Sequence, residues 1–343
     1  MKNTLLFLAC IAALTTGIFS CSSVQEKPFR YEGPKMKGVS FVAPRDSILD
    51  SCYLPVRQIS AEWVSLMPYG IVREGTSNFV YGHNNEWKWW GESPKGVAHC
   101  VEMAHKQGLK VMLKPHMWIS HGTFTGHFDL KTEEEWQVFE KQYGDYLLDF
   151  ARIADSTGVE LYCIATEMQN SVKKRPQFWF NIIKEIKKIY KGPLTYAENW
   201  DTYQDVPFWN EMDYIGVDAY FPLSEERSPS TDALRKGWKQ HLKALGKFAN
   251  VHHKPVLFTE FGYLSHDYAA RRPWETDRSQ PENEQLQADA YRVLFEEVWN
   301  KEWMAGGFVW KWFPNLKPDS KARDPYSPQN KPAALVLNDF YKN

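Results

Sequence analysis

The chain has 343 residues with 41 basic and 42 acidic side chains, a balance that gives no support to nucleic acid or another polyanion as a partner. Its length allows one large domain or two smaller ones. Fifteen Trp, 17 Tyr and 20 Phe supply an ample core, and the surplus of Trp also suits the docking of sugar C–H faces on ring planes.

Residues 1–20 read as an export signal: Lys2 is the positive start, and Leu5 to Ile18 is apolar but too short for a comfortable membrane span. Cys21 follows directly, as at a bacterial lipoprotein site, where it takes the lipid and becomes the mature N-terminus. Ile18 and Ser20 suit the positions before that cysteine, while Phe19 is bulkier than usual there. A cleaved soluble signal is the alternative. Residues 21–36 read as a tether with Pro28, Gly33 and Pro34, and residues 37–343 as a single domain. Cys52, Cys100 and Cys163 have no spacing that suggests a disulfide framework or a zinc motif, and Cys100 and Cys163 fit as small buried hydrophobes.

From Lys37 the pattern alternates between strand and helix. Gly38 to Ala43 reads as the first strand, a short helix near Asp46 to Leu54 follows, and Ile59 to Met67 reads as the second strand. A long loop from Tyr69 to Glu92 carries His83, Asn84, Asn85, Trp87, Trp89 and Trp90, too aromatic for disorder. Ser93-Pro94 starts a helix that Gly108 stops, and Leu109 to Leu113 is the third strand. Thr132 and Glu135 form a capping box before Trp136, Phe139, Tyr143, Leu147, Phe150 and Ala154, which keep helical spacing as far as Gly158. The fourth strand ends at Glu167. A helix over Phe178 to Tyr190 precedes a fifth strand at Leu194 to Ala197, and the sixth runs from Met212 to Val217. A helix over Leu234 to Asn250 leads to the seventh strand, which ends at Glu260. A helix over Glu282 to Lys301 leads to the eighth, Ala305 to Trp312.

Eight strands separated mostly by helices predict an α/β fold, the (β/α)8 TIM barrel. An open doubly wound sheet is the alternative, but Val42-Ala43-Pro44-Arg45 offers no glycine-rich phosphate turn after the first strand. In such a barrel, functional groups sit at the C-terminal strand ends. Those positions hold Lys114 and His116, Thr166 and Glu167, Glu198 to Asp201, Asp218 and Tyr220, Glu260, and Trp310 and Trp312. An isolated strand-end acid is usually a solvated loop residue or half of an ion pair. Two of them, on the fourth and seventh strands, instead suggest a carboxyl pair facing one cleft, which is what glycoside hydrolysis requires.

Four segments carry a resemblance: Ile164-Ala-Thr-Glu167, Gly216-Val-Asp-Ala-Tyr220, Phe258-Thr-Glu-Phe-Gly262 and Trp310-Lys-Trp312. Together with the tail Tyr326 to Ala333, they resemble glycoside hydrolase family 113 within clan A, over roughly Lys37 to Tyr341. The resemblance implies a retaining endo-β-1,4-mannanase with acid/base Glu167 and nucleophile Glu260. Tyr220 would then hydrogen-bond Glu260, or be structural. Trp310 would be a platform under the sugar, or core. Lys114, His116, Asn199 and Asp218 would bind sugar hydroxyls, or serve as ion pairs and supports. Thr166, Trp200 and Trp312 complete the expected substrate contacts, with Trp118 beside Trp200 at neighbouring subsites. Most of the clan has Asn directly before the acid/base to contact the sugar 2-hydroxyl; Thr166 stands there and leaves that contact open.

No metal site is expected. His99 and His105 are six apart, and His116, His121 and His127 lack a matching carboxylate arrangement. No cofactor is expected either. The expected partner is a β-linked oligo- or polysaccharide, with a lipid anchor in the membrane, no nucleic acid, and a monomeric chain at the periplasmic or cell surface. Two alternatives remain: another β-glycoside hydrolase of the clan, acting on a glucan or galactan, and a lipoprotein that binds glycans without cleaving them.

Overall fold

The computed structural model describes residues 28–82, 89–317, 320 and 324–343. The export signal, Cys21 and the loop residues His83, Asn84, Asn85 and Trp87 lie outside the described residues. Eight parallel strands close into a barrel: β1 (Met36–Phe41), β2 (Trp63–Leu66), β3 (Lys110–Leu113), β4 (Leu161–Thr166), β5 (Leu194–Asn199), β6 (Tyr214–Asp218), β7 (Val256–Phe261) and β8 (Met304–Trp312). The seam joins β8 to β1, with Met36 opposite Gly306 and Phe41 opposite Trp312. This is the (β/α)8 barrel expected from the pattern of apolar strands and amphipathic helices.

Residue alternation explains how one strand serves two cores. On β4, Leu161 and Cys163 join Met112, Leu257, Ala305 and Phe308 in a buried cluster. Tyr162 and Ile164 belong to the larger cluster shared with the helices, and Tyr162 Oη reaches the carbonyl of Leu147 at 2.8 Å. Both sides are apolar, so the strands read as continuous hydrophobic runs.

The helix Glu133–Thr157 shows the local logic of the outer ring. Thr132 accepts from the Glu135 N–H at 3.2 Å, and Glu135 accepts from the Thr132 N–H at 3.1 Å. This reciprocal cap satisfies two otherwise unpaired donors. Trp136, Phe139, Tyr143, Tyr146, Leu147 and Phe150 are buried on one side. Each contributes on the order of 1.5–3 kcal/mol by leaving water. Gly158, at φ 71, ends the helix in the left-handed region.

Several boundaries differ from the sequence expectation. The short helix after β1 comes later, as a 3-10 turn at Asp50–Tyr53 and a helix at Leu54–Gln58. β2 is four residues long, shorter than the run Ile59 to Met67. The expected loop from Tyr69 contains strands at Tyr69–Val72 and Phe79–Val80, which join His116–Ile119 in a three-stranded sheet beside the barrel mouth. These strands are too short to show a period in sequence. Between β5 and β6 the described chain makes only 3-10 turns, at Tyr203–Asp205 and Trp209–Glu211.

The last part of the expected tether lies against the barrel. The Phe29 N–H donates to Asn250 Oδ1 at 2.6 Å, and the Tyr31 N–H to the Glu302 carbonyl at 2.7 Å. Arg30 pairs with Glu302, and Lys35 bonds the carbonyl of Met304. These contacts are at the N-terminal ends of the strands, opposite the ends that carry Glu167 and Glu260.

Candidate active site

Glu260 lies near the end of β7 and is 6 % exposed. Gly262 follows because a Cβ there would sit 2.8 Å from the Trp310 carbonyl oxygen; only glycine lets β7 and β8 approach so closely. Two donors hold the Glu260 carboxyl. Lys114 Nζ is 2.5 Å from Oε1, and Tyr220 Oη donates to Oε2 at 2.8 Å. Lys114 also bonds both oxygens of Asp218, at 3.0 and 3.2 Å, and Thr259 Oγ1 donates to Asp218 Oδ1 at 2.7 Å.

One ammonium therefore serves two carboxyl groups in a dry site. Burial alone would lower the Lys114 pKa, but Asp218 and Glu260 overcome it and leave the ammonium held above its usual range. Burial and then the charge of Glu260 push Asp218 up to about 7, against the pull of Lys114 and Thr259. His116 Nε2 lies 3.6 Å from Glu260 Oε1, yet burial and the Lys114 charge hold its pKa well below normal. The imidazole is thus neutral, and this contact is not an ion pair.

Glu167 directly follows β4. Its φ of 51 is unusual for a residue with a side chain. Such a conformation costs roughly 1–3 kcal/mol and persists only where the surroundings hold it. Here the Glu167 N–H donates to the Ala197 carbonyl at 2.8 Å, and the Met168 N–H donates to Tyr196 Oη at 2.8 Å. Burial first, then the negative charges of Asp218 and Glu260, hold the Glu167 carboxyl well above the usual range, with Lys114 opposing. Thr166 is buried beside it, and its Oγ1 has no hydrogen-bond partner among the described residues.

Glu167 and Glu260 line one cleft of about 610 Å³, together with Asn199, Trp200, Asp201, Tyr220 and Trp310. Asn199 Oδ1 accepts from the Trp200 N–H at 2.9 Å, which turns the chain at the end of β5. The Trp200 ring stacks on Trp274 at 5.4 Å and 24°. Trp310 is half-buried and stacks over His116 at 6.3 Å and 14°. A second hollow, of about 500 Å³ around Arg175, is a less suitable site, because Arg175 is already paired with Glu133 and Glu140.

The structure separates the expected contact residues. Lys114 and Asp218 are 0 % exposed and bind each other, so they support Glu260 and do not reach a sugar. Trp312 is 3 % exposed and belongs to the core. Trp310 and Trp312 are both on β8, but the wall of the cleft contains only the first of them among the described residues. Trp118 is exposed on the side sheet and does not line the cleft. The cleft also includes Phe124, His127, Trp274 and Tyr326, which strand-end reasoning does not find. They lie in turns and loops, and the available signal was a large aromatic in a polar segment, as at Trp274. Among the described residues, no group of three or more His, Cys, Asp or Glu is placed to hold a metal ion.

The model of Glycoside Hydrolase Family 113 matches residues 51–331. Among solved structures, the chain is similar to the GH113 β-mannanase AaManA from Alicyclobacillus acidocaldarius in complex with ManMIm, with 26% identity, a TM-score of 0.79, and coverage of 91% of this chain and 98% of that one. A GH113 β-1,4-mannanase has 24% identity and a TM-score of 0.78 over 91% of this chain and 100% of that one. A β-glucuronidase from Ruminococcus gnavus shares the fold, with 13% identity, a TM-score of 0.61, and coverage of 90% of this chain and 50% of that one. A sequence search of curated proteins gives no match. With the two acids at the ends of β4 and β7 and a family match over most of its length, the chain belongs to Glycoside Hydrolase Family 113 and is a glycoside hydrolase.

Proposed function

We propose that the protein hydrolyses β-1,4-mannosidic bonds in mannan or glucomannan with retention of configuration, by double displacement, from an exported and lipid-anchored position. The observation that carries this reading is the convergence of Glu167 and Glu260 on one cleft in a chain of this family. The substrate follows from the similar structures, which are β-mannanases by description.

The chemistry follows from the bond. A glycosidic oxygen leaves poorly unless it is protonated as it departs. Glu167, kept protonated by its dry and negatively charged surroundings, donates that proton. Glu260 attacks the anomeric carbon and forms a glycosyl ester, with Lys114 and Tyr220 fixing its carboxyl. Esterification removes the Glu260 charge that had raised Glu167. Glu167, now the conjugate base, takes a proton from water as the water attacks the anomeric carbon and releases Glu260 as carboxylate, and both carboxyls return to their starting states. Retaining enzymes hold such a pair about 5–5.5 Å apart, which leaves no room for a water between nucleophile and sugar. Trp310 carries the sugar ring at the cleavage point, and Trp200 with Trp274 carries a neighbouring unit.

The anchor reading rests on Cys21 after an apolar signal. It agrees with the attachment of Phe29 and Tyr31 to the barrel face opposite the cleft, which would turn the cleft away from the membrane. Cys21→Ala should move the protein from the membrane fraction to the soluble one; unchanged partitioning would count against lipidation.

The main test offers manno-oligosaccharides and cello-oligosaccharides to the wild type and to Glu260→Gln, with NMR of the first-formed anomer. The expected result is cleavage of the manno series to the β-anomer, and a loss of at least about a thousandfold in Glu260→Gln. Preference for the gluco series would overturn the substrate. Binding without turnover in the wild type would point to a glycan-binding protein.

A further inference from the structure

We propose that Tyr196 and Glu198 form a positioning pair for Glu167: the Tyr196 hydroxyl holds the peptide N–H directly after Glu167, and Glu198 holds that hydroxyl. The inference rests on Glu167 being the proton donor of the reaction above.

The geometry is a short chain of bonds. The Met168 N–H donates to Tyr196 Oη at 2.8 Å, and Tyr196 Oη donates to Glu198 Oε2 at 3.0 Å. The other oxygen of Glu198 accepts from the Asn199 N–H at 2.9 Å and from Thr202 Oγ1 at 3.1 Å. Glu198 is 1 % exposed and Tyr196 is fully buried. On the near side, the Glu167 N–H is held by the Ala197 carbonyl at 2.8 Å. β5 therefore grips the peptide before Glu167 and the peptide after it. A residue at φ 51 is the one whose side-chain direction most depends on such a grip. A buried carboxyl with three donors also has a cost in desolvation that an apolar side chain would avoid, so its presence behind the acid/base calls for a reason.

Charge couples the same groups. On its own segment Glu198 faces Tyr196, Thr202 and Asp201; across a hollow of about 330 Å³ lie Lys173 and Asp205. Glu167 faces Asp218, Glu260 and Lys114 from the other strands, and the charge of Glu198 is a further influence that raises it. Burial pushes Glu198 itself up to about 7, against its three donors. Glu198 thus changes charge near pH 7, close to the proton donor whose carboxyl it influences.

The test compares Tyr196→Phe, Glu198→Gln and Glu167→Ala in the intact chain. The probes are a manno-oligosaccharide, whose leaving group needs a proton, and dinitrophenyl β-mannobioside, whose leaving group does not. Glu167→Ala should lose the first substrate far more than the glycosylation step of the second; equal loss would overturn the proton-donor reading and the positioning pair with it. If that reading stands, Tyr196→Phe should lower kcat on the oligosaccharide by about tenfold to a hundredfold, with KM within about twofold and the glycosylation step of the activated glycoside, read from its pre-steady-state burst, nearly spared. Equal loss in the glycosylation steps of both substrates, or no loss, would overturn the role of Tyr196. Glu198→Gln should move the basic limb of kcat/KM to lower pH, because one negative charge near Glu167 is gone; an unmoved limb would remove Glu198 from the pair. Circular dichroism at the assay temperature checks that each variant is folded.

Discussion

The Lys114 ammonium lies 2.5 Å from Oε1 of Glu260, with Lys114 fully buried and Glu260 only 6 % exposed where it lines the cleft. Asp218 shares the same ammonium, so two acids and one base occupy a closed space. Removing the base leaves two buried carboxyls facing each other. Lys114→Met should therefore lower kcat by at least about a hundredfold and destabilise the fold by roughly 3–5 kcal/mol. Urea denaturation and initial rates on one preparation measure both. A stable variant with near-normal kcat would mean that the ammonium does not hold Glu260.

The same cluster sets the pH response. Asp218 carries negative charge that raises Glu167. Asp218→Asn removes it and keeps the side-chain shape. The protonated fraction of Glu167 should then fall at lower pH, and the basic limb of kcat/KM should move down. The comparison is a full pH–rate profile of variant and wild type, and a limb that stays or moves up would contradict the electrostatic account.

Stability carries its own pH signature through Glu198. Its folded pKa of about 7 lies above the unfolded value near 4.5, so the folded state binds the proton more tightly. Stability therefore declines as pH rises from about 4.5 to 7 and levels off above, by up to about 3 kcal/mol. Glu198→Gln cannot titrate, so its loss relative to the wild type should shrink as pH rises through that window. Urea midpoints at pH 5 and pH 8 give the slope; a constant difference between the two proteins would show that Glu198 does not titrate there.

Trp274 is 46 % exposed, and its ring stacks on Trp200 in the cleft wall. Exposure of this much indole suits a sugar platform better than a core element. Trp274→Ala should raise KM for longer oligosaccharides by about tenfold, equivalent to roughly 1.4 kcal/mol, with kcat little changed. Short substrates that do not reach this wall should be unaffected, and a uniform loss across lengths would refute the platform.

Much of this molecule follows from local chemistry. Apolar runs such as Val256 to Phe258, bounded by turn residues, read as buried strands, and an acid placed at the end of such a run is brought to the C-terminal end of the barrel. The reciprocal cap of Thr132 and Glu135 needs only four residues to define a helix start. The Tyr69–Val72 and His116–Ile119 strands had no such signal, because each follows a proline, Pro68 or Pro115, just past a barrel strand and so reads as the start of a loop. Which way a strand-end side chain faces was also beyond local reading. Alternation by two holds only while pairing is regular, and the register shifts between Cys163 and Thr166 and between Phe258 and Glu260. Past those shifts the sequence could name Lys114, Asp218, Trp310 and Trp312 as mouth residues but not sort them. Tertiary packing did the sorting: it closed Lys114 and Asp218 under Glu260, sent Trp312 into the core, and brought Trp274 across from a distant loop. A buried charge goes where its partner is, and partners at sequence separations of 104 and 146 meet only when the barrel closes.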